Sequence, residues 1–288
     1  MASTAPVITG TLTVPDGTLY YEVRGSGPLI ALVGSPMDHG PFLPVAELLA
    51  TDYTVLTLDP RGHGKSVLTD ISKDSTPELR ADDLARLIRH VDAGPATVIG
   101  SSGGAITGLA LALTDSDVAP TLIAHEPPVR ELLDDRAEFR AMTDDIKATY
   151  QAGDVMGAIG KFFAMTGLAM PKVQMEQMFG GERDTRTLAE EAFFYEHELL
   201  PTSGWQPDLE GLRSTSTHII IGIGDQSEGL FCDRTSRALG TDLGIEPVLF
   251  PGGHGGFMQD PEAFAKRVRE VLQDTATTSP RHQSDTAD

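Results

Sequence analysis

Short apolar segments alternate with longer amphipathic ones along most of the chain. Eight β-rich apolar runs predict strands, at residues 10–14, 19–23, 29–33, 53–58, 96–99, 121–124, 218–221 and 247–250. Apolar positions at helical spacing predict helices at 41–50, 77–91 and 103–113. This alternation is typical of an α/β domain whose sheet is largely parallel.

The first two strands form an exception to the parallel pattern. They are separated by Pro15, Asp16 and Gly17, a short segment with turn-forming residues. So close a connection suits an antiparallel hairpin at the edge of the sheet. We therefore predict a mixed sheet.

The alternation stops after Glu126. Residues 127–213 contain helical patterns and no convincing strand, which predicts a helical cap inserted between two strands. Residues 1–126 and 214–273 then form the core domain. The polar segment 274–288 has no aromatic or large aliphatic side chain, so we predict a disordered tail there.

Composition narrows the class of protein. The 288 residues are 40% hydrophobic and 22% charged, which allows a sizeable packed core. The formal charge of −20 disfavours nucleic acid and anionic membranes as partners, and no apolar run is long enough to span a bilayer. Cys232 is the single cysteine, which excludes an internal disulfide and fits a cytoplasmic location. The oligomeric state stays open, a homodimer included.

The strongest chemical signal is a G-x-S-x-G pattern at residues 100–104. It directly follows a predicted strand and opens a predicted helix. Glycines on both sides of the central residue allow a sharp turn that exposes a serine hydroxyl. The pattern predicts Ser102 as a nucleophile, whereas Ser101 lies one position out of frame.

A serine nucleophile needs a general base, and His254 is the candidate. It lies in the glycine-rich segment 251–257, immediately after the last predicted strand. No pair of histidines has a clear metal-ligand spacing on a helix face, and no phosphate-binding glycine pattern occurs. We therefore predict no metal and no cofactor.

These motifs, in this order, resemble the α/β-hydrolase superfamily over about residues 10–272. The resemblance implies an α/β-hydrolase fold, a mostly parallel eight-stranded sheet flanked by helices, with the helical cap after the sixth strand. It also implies an oxyanion hole formed by two backbone N–H groups. One belongs to Gly103, after the nucleophile. The other belongs to Ser35, in a Val-Gly-Ser-Pro segment where the family usually has His-Gly-x-Pro.

Two carboxylates could orient His254. Asp225 follows the seventh predicted strand and fits the usual family position when the spacing is counted from Gly222. Glu126 follows the sixth strand and is held extended by the two prolines after it. The combination of GSSGG with AHEPP resembles the zearalenone-lactonase branch, whose acid is a glutamate at this position. We favour Glu126 and keep Asp225 as the alternative.

These residues predict a cofactor-independent serine hydrolase. Its substrate would be a carboxylic ester or lactone of a mid-sized, mostly apolar molecule, cleaved through an acyl-enzyme. The lactone preference is implied by the resemblance alone. The same residues would also support C–C bond hydrolysis or perhydrolysis. A non-catalytic ligand-binding protein with the hydrolase fold is the alternative from a different class.

Overall fold

A mixed sheet of nine strands forms the centre of the molecule. The computed structural model describes residues 6–168 and 170–278. The strands are β1 (Ile8–Val14), β2 (Gly17–Gly25), β3 (Leu29–Val33), β4 (Thr54–Leu58), β5 (Val67–Leu68), β6 (Ala96–Ser101), β7 (Thr121–His125), β8 (His218–Gly224) and β9 (Val248–Phe250). The predicted α/β class, with a mostly parallel sheet flanked by helices, is confirmed.

Strand order places the hairpin at one edge of the sheet. The order is β1-β2-β4-β3-β6-β7-β8-β9, and the six strands from β4 to β9 along this path are parallel. β1 and β2 pair antiparallel through a tight turn, with Val14 opposite Gly17. The two-residue strand β5 pairs with β2 and brings the total to nine, where the sequence predicted eight. A segment of two residues is too short to show a strand period.

Helices cover both faces of the sheet. They are α1 (Leu43–Leu49), α2 (Pro77–Val91), α3 (Gly103–Thr114), α4 (Arg136–Gln151), α5 (Val155–Thr166), α6 (Lys172–Phe179), α7 (Thr185–Phe193), α8 (Leu199–Ser203), α9 (Leu209–Ser214), α10 (Phe231–Leu243), α11 (Gly256–Gln259) and α12 (Pro261–Thr278). A short π-helix, Phe194–Glu198, joins α7 to α8. None of the helices in the described ranges has the length and apolar content needed to cross a bilayer.

Side-chain alternation along β3 explains the two layers. Leu29, Ala31 and Val33 pack on the side of α2, α3 and α10, whereas Ile30 and Leu32 pack on the side of α1, α11 and α12. Every residue of β3 is buried, as expected for a central parallel strand. The sheet therefore supports two separate apolar cores.

The segment between β7 and β8 contains α4 to α9, and we call it the cap. Its α4, α5 and π-helix residues form their own apolar cluster around Ile146, Ile159 and Tyr195. The last part of the segment packs elsewhere, because Trp205 and Leu212 belong to the main core beside α3. The sequence boundary at residue 213 thus assigns to the cap a helix, α9, that packs on the core.

The final helix differs from the expected tail. α12 continues to Thr278, so residues 274–278 are helical where the sequence predicted disorder from 274. Extending an existing helix costs far less than starting one, and Val268 and Val271 anchor α12 upstream. Residues 279–288 of the predicted tail lie outside the described residues.

Candidate active site

Ser102 occupies a sharp turn between β6 and α3. Its φ of 56° and ψ of −124° are unusual for a residue other than glycine. The turn brings α3 so close to β3 that a Cβ on Gly104 would lie 2.1 Å from the carbonyl oxygen of Val33. Ser102 is half-buried and lines a cavity. Ser101 is buried instead, with its Oγ 3.3 Å from His125 Nδ1.

Glu126 and His254 meet at the carboxyl ends of β7 and β9. His254 Nδ1 lies 2.6 Å from Glu126 Oε2. The second carboxylate oxygen of Glu126 accepts a hydrogen bond of 2.9 Å from the Gly224 N–H. Glu126 has a φ of 51°, in the left-handed region, so the extended backbone expected from the following prolines is wrong. Its own N–H donates to the Gly222 carbonyl at 2.9 Å. The end of β8 thus fixes both the backbone and the carboxylate of Glu126.

Asp225 has a different set of contacts. It is exposed, and its Oδ1 accepts a hydrogen bond of 3.0 Å from the Gly252 N–H. Its own N–H donates to the Phe250 carbonyl at 2.8 Å. Asp225 therefore braces the loop that carries His254, and the structure brings Glu126, not Asp225, to the imidazole.

The electrostatics of the pair favour an imidazolium beside a carboxylate. Burial would raise the pKa of Glu126, but the hydrogen bond and charge of His254 lower it to about 2. Burial would lower the pKa of His254, but the neighbouring Cys232 sulfur and the Glu126 carboxylate raise it above its usual range. Glu126 is thus ionised at neutral pH and stabilises a positive charge on His254.

The backbones of Ser35 and Gly103 lie side by side next to Ser102. A Cβ built on Gly103 would stand 2.6 Å from Ser35 Oγ and 2.9 Å from the Ser35 carbonyl oxygen. Gly103 is the first residue of α3, where N–H groups have no partner within the helix. Both residues line the same cavity as Ser102. The structure therefore brings together, beside Ser102, the two residues that the sequence analysis expected to form an oxyanion hole.

The cavity over Ser102 is mostly apolar. Its volume is about 200 Å³, and His254 and Cys232 also line it. Its apolar lining comes from both the core and the cap: Pro36, Met37, Pro128, Phe162, Phe163, Met165, Leu168, Phe194, Leu199 and Phe231. None of the described lining residues is Lys or Arg. The cavity therefore suits a neutral, apolar ligand.

Three further polar or large side chains differ in their surroundings. The indole Nε1 of Trp205 donates to Glu78 at 2.8 Å within the main core. His39 lies between Asp59, at 2.5 Å, and Glu22, at 3.1 Å. Met178, in α6 of the cap, is exposed.

Two groups of described residues combine potential metal ligands. Glu126, Cys232 and His254 form one, and Asp38, His39 and Asp59 form the other, each with its ligand atoms within 4.8 Å of one another. In both groups a histidine is already hydrogen-bonded to a carboxylate, at 2.6 Å and 2.5 Å respectively. A metal ion would have to replace these hydrogen bonds.

Glu198 lines the cavity although nothing in the sequence singles it out. It is the last residue of the π-helix and is only 1% exposed. It accepts a short hydrogen bond from Ser35 Oγ, and its other oxygen lies 2.5 Å from His63 Nε2. One glutamate in a helical run with other acidic residues gives no signal that could have predicted these contacts.

Comparison with known proteins identifies the family. A family model described as the alpha/beta hydrolase family matches residues 29–267. The chain belongs to the alpha/beta hydrolase family. The uncharacterized hydrolase YraK of Bacillus subtilis is 31% identical over 271 residues, covering 92% of this chain and 96% of that protein. A zearalenone hydrolase of Bionectria ochroleuca is 28% identical over 274 residues, covering 91% and 97%.

Solved structures of alpha/beta hydrolases share the fold. A thermophilic esterase from Thermogutta terrifontis aligns with a TM-score of 0.66 and 21% identity, covering 94% of this chain and 99% of the esterase. An esterase from Exiguobacterium antarcticum aligns with a TM-score of 0.68 and 19% identity, covering 89% and 96%. The family match runs from β3 into α12, so it includes Ser102, Glu126 and His254.

Proposed function

We propose that this alpha/beta hydrolase is a serine hydrolase that cleaves a carboxylic ester or lactone through an acyl-enzyme. The observation that carries the proposal is the hydrogen bond between His254 Nδ1 and Glu126, beside a cavity that His254 shares with Ser102. A histidine held by a carboxylate next to a serine on a strained turn is the arrangement that activates a hydroxyl.

Acylation follows from these positions. Ser102 Oγ attacks the carbonyl carbon while His254 takes the hydroxyl proton, and Glu126 stabilises the resulting imidazolium. The N–H groups of Ser35 and Gly103 donate to the oxyanion of the tetrahedral intermediate. His254 then passes its proton to the leaving alkoxide, and the alcohol departs. In a lactone the alcohol stays attached to the acyl group.

Deacylation uses the same groups with water as the nucleophile. His254 removes a proton from water as the oxygen attacks the acyl carbon, and collapse of the second tetrahedral intermediate returns the proton to Ser102. The products are a carboxylic acid and free enzyme. Apart from substrate and water, both half-reactions use groups of the protein described above.

The cavity supports a neutral substrate of middle size. Its volume of about 200 Å³ and apolar lining favour an uncharged acyl group, and the ionised Glu198 disfavours a carboxylate there. The lactone preference is supported by the relationship to the zearalenone hydrolase. Two of the structural neighbours are esterases, which agrees equally well with an ester substrate.

A fluorophosphonate probe, followed by a panel of esters and lactones, tests the proposal. We expect the probe to label wild type and Ser101→Ala but not Ser102→Ala. Ser102→Ala should keep the wild-type melting temperature and lose at least about 10³-fold in kcat, since only binding and the oxyanion donors remain. Ser101→Ala is the matched control because its hydroxyl points to His125. An unlabelled wild type that binds panel compounds without hydrolysing them would support a binding protein instead.

A further inference from the structure

A buried group of charged side chains lies between the cap and the core beside the oxyanion residues. Glu198 comes from the π-helix of the cap, His63 from the loop between β4 and β5, and Arg80 from α2. All three are at most 4% exposed. Burying charged groups costs free energy unless they are paired, so we ask which contacts hold these three side chains and what those contacts do.

One branch of the cluster ends at Ser35. The Ser35 hydroxyl donates a short hydrogen bond to Glu198 Oε1. The same oxygen lies 3.7 Å from Arg80 Nη1, and Glu198 Oε2 is 2.5 Å from His63 Nε2. Ser35 is therefore tied to the cap through its side chain.

The other branch ends at Gly103. Arg80 Nε donates to Thr107 Oγ1 at 3.0 Å, and the Thr107 hydroxyl donates in turn to the Gly103 carbonyl at 3.1 Å. Arg80 Nη2 also donates to Thr202 of the cap at 2.9 Å. A single continuous network thus reaches both of the residues whose N–H groups would bind the oxyanion.

Glu198 and His63 stabilise each other's charged forms. Burial would raise the pKa of Glu198, but the charge of His63 and its hydrogen bond lower it to about 2. Burial would lower the pKa of His63, yet Glu198 raises it. Glu198 is therefore held as a carboxylate between His63 and Arg80.

We propose that Glu198 and Arg80 are positioning residues that set the geometry of the oxyanion hole, acting on Ser35 directly and on Gly103 through Thr107. This inference rests on the proposed serine hydrolase function. The N–H donors must point at the oxyanion from about 2.7–3.1 Å, and a displacement of about 1 Å can cost 10²-fold in rate. The network joins the cap to the core, so the geometry of the oxyanion hole also depends on the position of the cap.

Two conservative variants cut the branches one at a time. Ser35→Ala removes the hydroxyl and keeps the N–H, and Thr107→Val keeps the shape of the side chain. Both leave the Arg80–Glu198 pair in place. We expect each to lower kcat about 10-fold to 100-fold with little change in KM, because the effect belongs to the transition state. Thr114→Val is the control for Thr107→Val. The Thr114 hydroxyl also donates to the carbonyl four positions earlier, that of Ala110, at 3.0 Å. Thr114 lies at the exposed end of α3.

Glu198→Gln tests the charge, and Glu196→Gln is its control from the same π-helix. Glu196 contacts Gln151 and Lys147 on the outer side of the cap. We expect Glu198→Gln to lower kcat and Glu196→Gln to leave it unchanged. Melting temperatures of all variants identify any that fail to fold, and Ser35→Ala keeps the test valid if Glu198→Gln is one of them.

The decisive measurement compares each ester with its thionoester. Sulfur is the weaker hydrogen-bond acceptor, so the ratio of ester to thionoester kcat/KM reports the oxyanion hydrogen bonds. We expect this ratio to fall in Ser35→Ala, Thr107→Val and Glu198→Gln. A wild-type ratio in all three variants, in an enzyme that the fluorophosphonate probe labels, would overturn the positioning role and leave the serine mechanism standing. A wild type that is neither labelled nor active would overturn both.

Discussion

At the scale of single residues, Glu126 is constrained by its backbone as well as by its charge. Its positive φ, its N–H bond to Gly222 and the contact of its carboxylate with the Gly224 N–H all direct the side chain toward His254. Asp225 directly follows β8, and its carboxylate accepts a hydrogen bond from the Gly252 N–H. The two acids therefore have separate roles, one toward the ring and one toward the loop.

Amide substitutions distinguish these roles. Glu126→Gln should lower kcat by about 10³-fold to 10⁴-fold, because a neutral amide no longer stabilises the imidazolium. Its fold should be kept, since the amide oxygen still accepts from Gly224. Asp225→Asn should retain most of the activity, because its oxygen still accepts from Gly252. Measuring kcat and melting temperature for both decides: an active Glu126→Gln beside an inactive, folded Asp225→Asn would reverse the assignment.

The pKa of His254 predicts the pH dependence of catalysis. The base must be neutral to accept the Ser102 proton, and its pKa is raised above the ordinary 6.5. Activity should therefore rise with pH, with a midpoint above the usual histidine range. A profile of kcat/KM against pH for the wild type tests this, and a midpoint at or below 6.5 would contradict it.

At the scale of elements, the turn from β6 into α3 depends on how closely α3 approaches β3. A Cβ at Gly104 would meet backbone atoms of Val33 and Gly34 at 2.1–2.9 Å, and backbone cannot yield as a flexible side chain can. Position 104 therefore requires glycine because no side chain fits between α3 and β3. It also couples the position of Ser102 to the end of β3, where the Ser35 loop begins.

Gly104→Ala should separate α3 from β3. We expect a loss of about 1–3 kcal/mol in the free energy of unfolding, as for other overpacked sites, together with reduced kcat. Gly181→Ala is the matched control, because a Cβ there meets nothing within 4 Å. Denaturant unfolding of the two variants measures the difference. Equal stabilities would show that the close approach at Gly104 is not a constraint on the fold.

At the scale of the whole molecule, parallel strand order gathers the chemistry. β6, β7, β8 and β9 are neighbours, and their carboxyl ends lie at one edge of the sheet. This edge brings together Glu126 and His254, which are 128 positions apart in the chain. The cap closes over the same edge and supplies most of the apolar lining of the cavity. The net charge of −20 has no part in the placement of these residues. That nucleic acid is not a partner stays a prediction.

The sequence by itself determined the fold class and the main chemical candidates of this protein. Apolar periodicity specifies buried strands and amphipathic helices, and the glycine-flanked Ser102 and His254 carry local signals that need no distant partner. The confirmed alpha/beta hydrolase fold follows from such local patterns, because they repeat along most of the chain. The extension of α12 past residue 274 was not predicted, since helix propagation depends on packing upstream.

Only the tertiary structure decided which groups meet. Glu126 and Asp225 are both carboxylates at strand ends, and the choice between them depends on backbone angles and on the positions of Gly224 and Gly252. Glu198 has no local signal at all, because its partners Ser35, His63 and Arg80 come from three distant segments. Contacts between elements far apart in sequence depend on the packing of the entire chain, and no periodicity or motif records them.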